Sequence, residues 1–226
     1  VLVPNPELEP ERSLGFELGS YFKTSNNIEL DFSSYLTYLY NGMIRGDFVL
    51  ENGLTEIIYD GSLSQIQALQ NSSRSLIYGL EIGMKWLLSQ NLILKTQHNI
   101  IAGYELNELP FSLPVRHIPP NYGNFHIVFK KGRLILDAFV NYNSEIPFKD
   151  LAESERAKAY LYAPDKNGNP YSPSWHTINL RTKYSFSENI NCSLSFENIS
   201  DKLYRAYSSG ISAAGSNFIF SLNYVY

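Results

Sequence analysis

One cysteine, Cys192, stands in 226 residues. A lone thiol excludes a disulfide framework and a thiolate metal cluster. No run of 18 apolar residues occurs, so no transmembrane helix is expected. No N-terminal stretch has the order of a secretory signal, so any export signal is expected to lie outside this chain. Basic residues are scarce: 18 Lys and Arg stand against 22 Asp and Glu, a net charge of −4. That excludes the clustered basic face of a nucleic-acid partner. The G-x-S-x-G elbow, the H-E-x-x-H pair and the phosphate loop are also missing, so no enzyme activity is expected.

What is plentiful is aromatic. Seventeen Tyr and 13 Phe bring the aromatic share to 14%, while the mean hydropathy is −0.20. A barrel with aromatic girdles and a wet interior fits this balance. A large soluble β-sandwich fits it too.

Period-two alternation runs through most of the chain. In "LGFELGSYF", Leu14, Phe16, Leu18 and Phe22 oppose Glu17 and Tyr21. In "IELDFSSYLTYLY", Ile28, Leu30, Phe32, Leu36, Tyr38 and Tyr40 oppose Glu29, Asp31, Ser33 and Thr37. In "LIYGLEIGMKWLL", an apolar row from Leu76 to Leu88 opposes Gly79, Glu81, Gly83 and Lys85. Six weaker segments follow, ending in "NFIFSLNYVY" (217–226), which predicts about nine strands. The opposite face collects Lys95, Lys130, Asp137, Arg181, Lys183 and Glu197. The apolar face gathers rings near strand ends, among them Phe22, Trp86, Tyr104, Tyr142, Tyr184, Phe186, Tyr224 and Tyr226. Rings at strand ends suit a membrane–water interface, so the apolar face is read as lipid-facing.

Connections sort by length. Short turns ("KTSNN", "LSQN", "KKGR", "SENI") alternate with long segments at 46–74, 106–121, 147–175 and 201–216. Short turns at one end and long loops at the other are the layout of an outer-membrane barrel rather than a Greek-key sandwich. If the short turns are periplasmic, the last strand runs toward the periplasm, and so does the first. An odd strand number beginning at an external loop reads as the C-terminal part of a larger barrel, since single-chain bacterial barrels are even-stranded.

Three stretches carry a family resemblance. "NPELEPERSLGFELG" (5–19) resembles the NP-x-L-x-PE-x-S segment that precedes a strand in TonB-dependent outer-membrane receptors. "RHIPPNYGNFHIVF" (116–129) resembles their proline-containing entry into a later strand. Residues 167–226, with "W-x-x-INLR-x-x-Y", "EN-x-x-D-x-x-YR" and "YSSGI-x-A-x-G", resemble the closing segment of Bacteroidetes-type members. Ser216 departs from a basic residue in that pattern, and Ser221 from a common glycine.

The resemblance implies an all-β fold, an antiparallel transmembrane β-barrel meander. Residues 1–226 would form about nine C-terminal strands of a 22-stranded barrel with a plugged lumen. The N-terminal plug and the earlier strands would lie outside this chain. It implies TonB-dependent uptake of a scarce nutrient across the outer membrane of a Gram-negative bacterium. An iron complex, siderophore or haem, is the first expected cargo, with cobalamin or oligosaccharide as alternatives. A self-contained barrel enzyme, a protease or phospholipase, is the rival from another class. Implied partners are the TonB complex, the receptor's own plug, the barrel-assembly machinery, the lipid bilayer with lipopolysaccharide, and a surface lipoprotein. No cofactor is implied.

Candidate substrate-binding residues are Arg116 and His117 in one external loop, and Tyr204, Arg205 and Tyr207 in another. An arginine among rings suits a carboxylate or catecholate by bidentate hydrogen bonding and stacking; the competing role for Arg205 is pairing with a wall carboxylate such as Glu197. Phe218, Phe220, Tyr224 and Tyr226 are the aromatic strand expected to be read by the assembly machinery. His98, His117, His126 and His176 never fall at ligand spacing on one element, so no metal site is expected. "DLAESERAKAYLYA" (150–163) reads as a solvated helical turn in which Asp150, Glu153, Glu155 and Arg156 face water.

Overall fold

A computed structural model describes residues 1–25, 27–106 and 113–225. The strands in chain order are β1 Arg12–Lys23, β2 Ile28–Asp47, β3 Glu56–Tyr59, β4 Ser62–Gln65, β5 Gln67–Leu87, β6 Leu92–Glu105 and β7 Leu113–Pro114. They continue with β8 Tyr122–Lys131, β9 Leu134–Asn143, β10 Ala163–Pro164, β11 Pro170–Tyr171, β12 Trp175–Ser185, β13 Ile190–Glu197 and β14 Asn217–Tyr224. One α-helical turn, α1, spans Glu153–Arg156. The main sheet is ordered β1-β2-β5-β6-β8-β9-β12-β13-β14, with β7 added to β6. That is the expected nine-strand meander.

Two of the strands are longer than the alternation suggested. β2 has 20 residues and β5 has 21, against the ~9–11 that a tilted strand needs to cross a bilayer. Segment 46–74, read as a loop, is in fact the ends of β2 and β5 plus the hairpin β3–β4. Its apolar residues keep no single period-two row: Ile66 and Ala68 are fully buried while Ile58 and Leu63 are exposed, so alternation did not reveal the strands there.

The described chain resolves into two compact units. The first comprises Val1–Phe16, Leu36–Tyr78 and Gly103–Val115. Here the asparagine–proline segment is laid along β5 by a ladder of side chains. Asn5 Nδ2 donates to the Leu69 carbonyl at 2.9 Å, and Asn71 Nδ2 to the Glu9 carbonyl at 2.8 Å. Glu9 N donates to Asn71 Oδ1 at 2.7 Å, and Asn41 Nδ2 to Glu9 Oε2 at 2.9 Å. Proline has no N–H to donate, so a segment holding Pro4, Pro6 and Pro10 cannot join a sheet by backbone alone, and amides supply the missing bonds.

The second unit comprises Glu17–Tyr35, Gly79–Ala102 and Arg116–Tyr226. Its turns are tight: β8 passes to β9 through Gly132 at φ +55°, the left-handed region where glycine is at ease. Registers are regular. Phe125 pairs with Val140, Ile178 with Val140 and Leu194 with Phe220 on one face; His126 pairs with Phe139 and Arg181 with Asp137 on the other. Two glycines on the polar face make room for neighbours: a Cβ at Gly79 would collide with the Tyr35 ring, and one at Gly83 with the Asp31 carboxylate.

Burial is inverted relative to a water-soluble sheet. Along β12, Thr177 and Asn179 are buried while Ile178 and Leu180 are 46% and 42% exposed. Phe16, Phe218 and Phe220 are about two-thirds exposed. Fully burying such a side chain yields ~1.5–3 kcal/mol. Leaving Leu14, Phe16, Leu18, Phe125, Ile127, Ile178, Leu180, Leu194, Phe218, Phe220 and Leu222 facing water would forgo about half of that each. The sum is of the order of a domain's whole net stability, ~5–15 kcal/mol. The apolar face therefore requires a non-aqueous neighbour. Cys192 lies on that face, paired in register with Tyr184 and Leu222.

Candidate functional site

The second unit holds three kinds of grouping: two at the end of the sheet that carries the long connections, and one along the polar face of the strands. The first is a buried carboxylate. The connection after β9 is pinned by the Ile146–Ser172 bridge. It then turns through Phe148–Asp150 and α1, placing Leu151, Ala152 and Glu155 inside. Glu155 is 1% exposed, which corrects its reading as part of a solvated turn; Asp150 and Glu153 are exposed as expected. Its Oε1 accepts from the Tyr162 hydroxyl at 3.0 Å and its Oε2 accepts from the Tyr207 hydroxyl. His117 Nε2 stands 3.8 Å from Oε1. Arg156 does not neutralise it: that guanidinium donates to the Leu151 and Lys149 carbonyls, each at 2.8 Å, and lies over the Phe148 ring. A buried charge is tolerated only when its lone pairs are met, and here two phenols from two connections meet them.

Those phenols are perturbed in return. Burial pushes the Tyr162 hydroxyl up to about 12, with the charge and hydrogen bond of Glu155 adding to it. Burial first, and Glu155 second, push Tyr207 higher still. Both phenols stay protonated, as donors to a carboxylate must.

The second grouping is a cavity of about 300 Å³ between the β9–β12 and β13–β14 connections, lined by Leu161, Tyr162, Trp175, Lys202, Tyr204 and Arg205 among others. The Trp175 and Tyr204 rings are 4.1 Å apart, tilted by 31°. The Trp175 indole N–H is buried without an acceptor among the described residues. Arg205 is exposed. Among the described residues its guanidinium makes long contacts, 3.5 Å to Ser212 Oγ and 3.5 Å to the Tyr160 carbonyl. Glu197 pairs instead with Arg181, at 3.7 Å, so the proposed Arg205–Glu197 pairing is corrected. The β13–β14 connection itself is held by Asn198, at φ +49°, whose amide donates to the Lys202 and Ala214 carbonyls. A second, more open cavity of about 670 Å³ is lined by His117, Tyr122, Asn124, Asn141, Asn143 and Tyr207, with Trp175, Ala206 and Ser208 common to both.

The third grouping is the polar face below. His126 Nδ1 lies 2.9 Å from Asp137 Oδ1, and its ring stacks on Phe139 at 4.9 Å. The Arg181 guanidinium lies over the same ring, 5.3 Å from the Phe139 centroid. Glu29 is bracketed by Lys23 at 3.4 Å and Lys85 at 3.0 Å.

Of the five predicted binding residues, Tyr204 and Arg205 share the smaller cavity, and His117 and Tyr207 share the larger one through Glu155. Arg116 is exposed and lines neither. Of the other histidines, His98 is bonded to Tyr142 and Thr96 on the apolar face and His176 is exposed. Among the described residues no group of three His, Cys, Asp or Glu is placed to hold a metal ion. Phe218, Phe220 and Tyr224 lie exposed on one face of β14, whereas Tyr226 lies outside the described residues. Sequence reasoning missed Glu155, Tyr162, Trp175 and Lys202 as site residues. Only Trp175 left a signal, as the lone tryptophan at a loop-to-strand boundary.

The fold recurs in solved structures. A copper transporter, OprC, matches with a TM-score of 0.72 at 14% identity, over 96% of this chain and 32% of its own. The FrpB iron transporter from Neisseria meningitidis (F3-3 variant) matches at 0.67 and 13%, over 99% and 33%. A mutant of the ferric enterobactin receptor PfeA from Pseudomonas aeruginosa matches at 0.67 and 18%, over 95% and 31%. The chain thus spans about a third of the length of these structures. No curated protein is similar enough to count as a match. Residues 1–199 match the family described as TonB dependent receptor-like, beta-barrel. With most of its length matched, and an inverted nine-strand meander to carry the match, this chain belongs to the TonB-dependent receptor β-barrel family.

Proposed function

We propose that residues 1–226 are the C-terminal wall of a TonB-dependent importer in the outer membrane of a Gram-negative bacterium. The observation that carries this reading is the pair of unlike faces on one meander. One face is exposed and apolar, fit for lipid. The other bears Glu29, Asp31, Lys85, Lys95, His126, Asp137 and Arg181, fit for a wet lumen or a plug. The short turns would then face the periplasm and the long connections the outside, where Glu155, Trp175 and Arg205 shape the rim. A plug and a TonB-binding segment would lie N-terminal to this wall, and energy would reach it through the TonB complex. The barrel-assembly machinery would read β14. Lipopolysaccharide would meet the apolar face, and a surface lipoprotein is a candidate partner at the rim.

The expected cargo is a metal complex, an iron chelate before any other. Two of the structural neighbours described above are named for iron or a ferric siderophore and one for copper, which supports that order. The role is transport without bond chemistry. The test is uptake of radiolabelled ferric chelates, haem and a copper complex by cells carrying the complete gene, with and without TonB or a protonophore. TonB-dependent accumulation of one of them is expected. Accumulation that is indifferent to TonB, or a product that does not fractionate with outer membranes, overturns the reading.

A further inference from the structure

The smaller rim cavity has a chemistry of its own. Its lining includes two cations, Lys202 and Arg205, and no carboxylate. Neither cation has an ion-pair partner among the described residues. Arg156, on the same connection as Tyr162, is already engaged by two carbonyls and a ring, while the charge of Arg116 reaches Tyr162 on the cavity's edge and adds to its positive character. A concave site lined by one sign of charge concentrates ions of the other sign. Beside these cations stands the Trp175–Tyr204 pair, with ring centroids 4.1 Å apart. A volume of about 300 Å³ is at the small end of ligand sites, enough for one ring and its substituents.

We propose that the cavity formed by Trp175, Lys202, Tyr204 and Arg205 is a binding site for a planar organic anion, one aromatic ring bearing a carboxylate. The ring lies against Trp175 and Tyr204. The carboxylate receives the Arg205 fork, whose two internal contacts are at the limit of hydrogen-bond length and are readily exchanged. Lys202 adds a second positive charge. The Trp175 indole N–H is buried and has no acceptor among the described residues, so the indole serves the site as a ring face rather than as a donor. Tyr207, grouped with Arg205 by sequence, is excluded from this role because its hydroxyl is committed to Glu155. If the Proposed function holds, this is one place where the rim grips an anionic cargo. The site itself does not depend on transport.

The experiment is calorimetric titration of the complete receptor, purified in detergent, with benzoate, benzyl alcohol and benzylamine. Benzoate is expected to bind, more weakly as salt rises. Benzyl alcohol and benzylamine are expected to bind at least tenfold more weakly. Arg205→Ala should weaken benzoate ten- to a hundredfold and Arg205→Lys less. Tyr204→Leu should weaken benzoate and benzyl alcohol alike, and the exposed Lys166→Gln should change nothing. No benzoate binding at millimolar concentration, equal binding of the three probes, or an Arg205→Ala receptor that binds as the parent does would overturn the site. Benzoate binding in a receptor that shows no TonB-dependent uptake would keep the site and sink the transport reading instead.

Discussion

The Tyr162 hydroxyl donates to Glu155 Oε1 across 3.0 Å, and through that one carboxylate the connection after β9 is tied to Tyr207 in the connection after β13. Replacing Glu155 with Ala leaves two half-buried phenols without this acceptor, at most ~1–3 kcal/mol for each. The cost falls on the loops rather than on the sheet. Limited trypsin digestion of the complete receptor should cut within 147–175 at least tenfold faster in Glu155→Ala, while resistance of the barrel to heat stays as in the parent. Equal digestion rates would deny the anchoring role.

The same tie sets a pH window. Tyr162 and Tyr207 have pKa values raised above the ordinary phenol range. A raised pKa means that the protonated form is favoured by folding. Its stabilisation is whole below the unfolded value of 10.0 and is lost as pH climbs through the folded value, about 12 for Tyr162. Ultraviolet titration of tyrosinate should show a late component that disappears in the Tyr162→Phe, Tyr207→Phe double variant. Loop cleavage by a base-tolerant protease should rise only above about pH 10.

Gly79 is occupied space. A methyl there meets the Tyr35 ring, on the polar face where the strands are closely packed. Gly79→Ala should destabilise the barrel by ~1–3 kcal/mol, read as a lower temperature for the shift from the folded to the unfolded band on an unheated gel. Tyr35→Ala combined with Gly79→Ala should recover part of the loss, since the collision is removed with the ring.

The face assignment can be tested with two adjacent residues of β13. Leu194→Arg puts a charge on the apolar face opposite Phe220 and should cost ~2–4 kcal/mol near the bilayer midplane. Ser193→Glu puts one on the polar face opposite Lys183 and should be tolerated. Membrane assembly yields and denaturant midpoints for the two variants decide it; a reversed order would turn the sheet inside out.

Much of this was legible in the sequence, and for a physical reason. Strand pairing is periodic, so Ile178, Leu180 and Tyr184 announced their face without knowledge of any neighbour, and short turns such as the one at Gly132 carry their own local chemistry. The rim was less legible. That Glu155 is buried depends on Tyr207, 52 residues away, and no local pattern reports a partner so distant. The local pattern, Glu153–Arg156 amid alanines, is that of a solvated turn, and tertiary contact overrode it. Segment 46–74 misled for another reason: its strand ends and the β3–β4 hairpin lack the regular alternation that reveals a strand.

Trp175 is a party wall. The same indole bounds the cationic cavity on one side and the asparagine-lined cavity on the other. A ring has only a few staggered positions, so a guest that pushes it one way enlarges one room at the expense of its neighbour. Two molecules arriving at this rim would not be counted independently. The first to enter would set the terms on which the second is admitted.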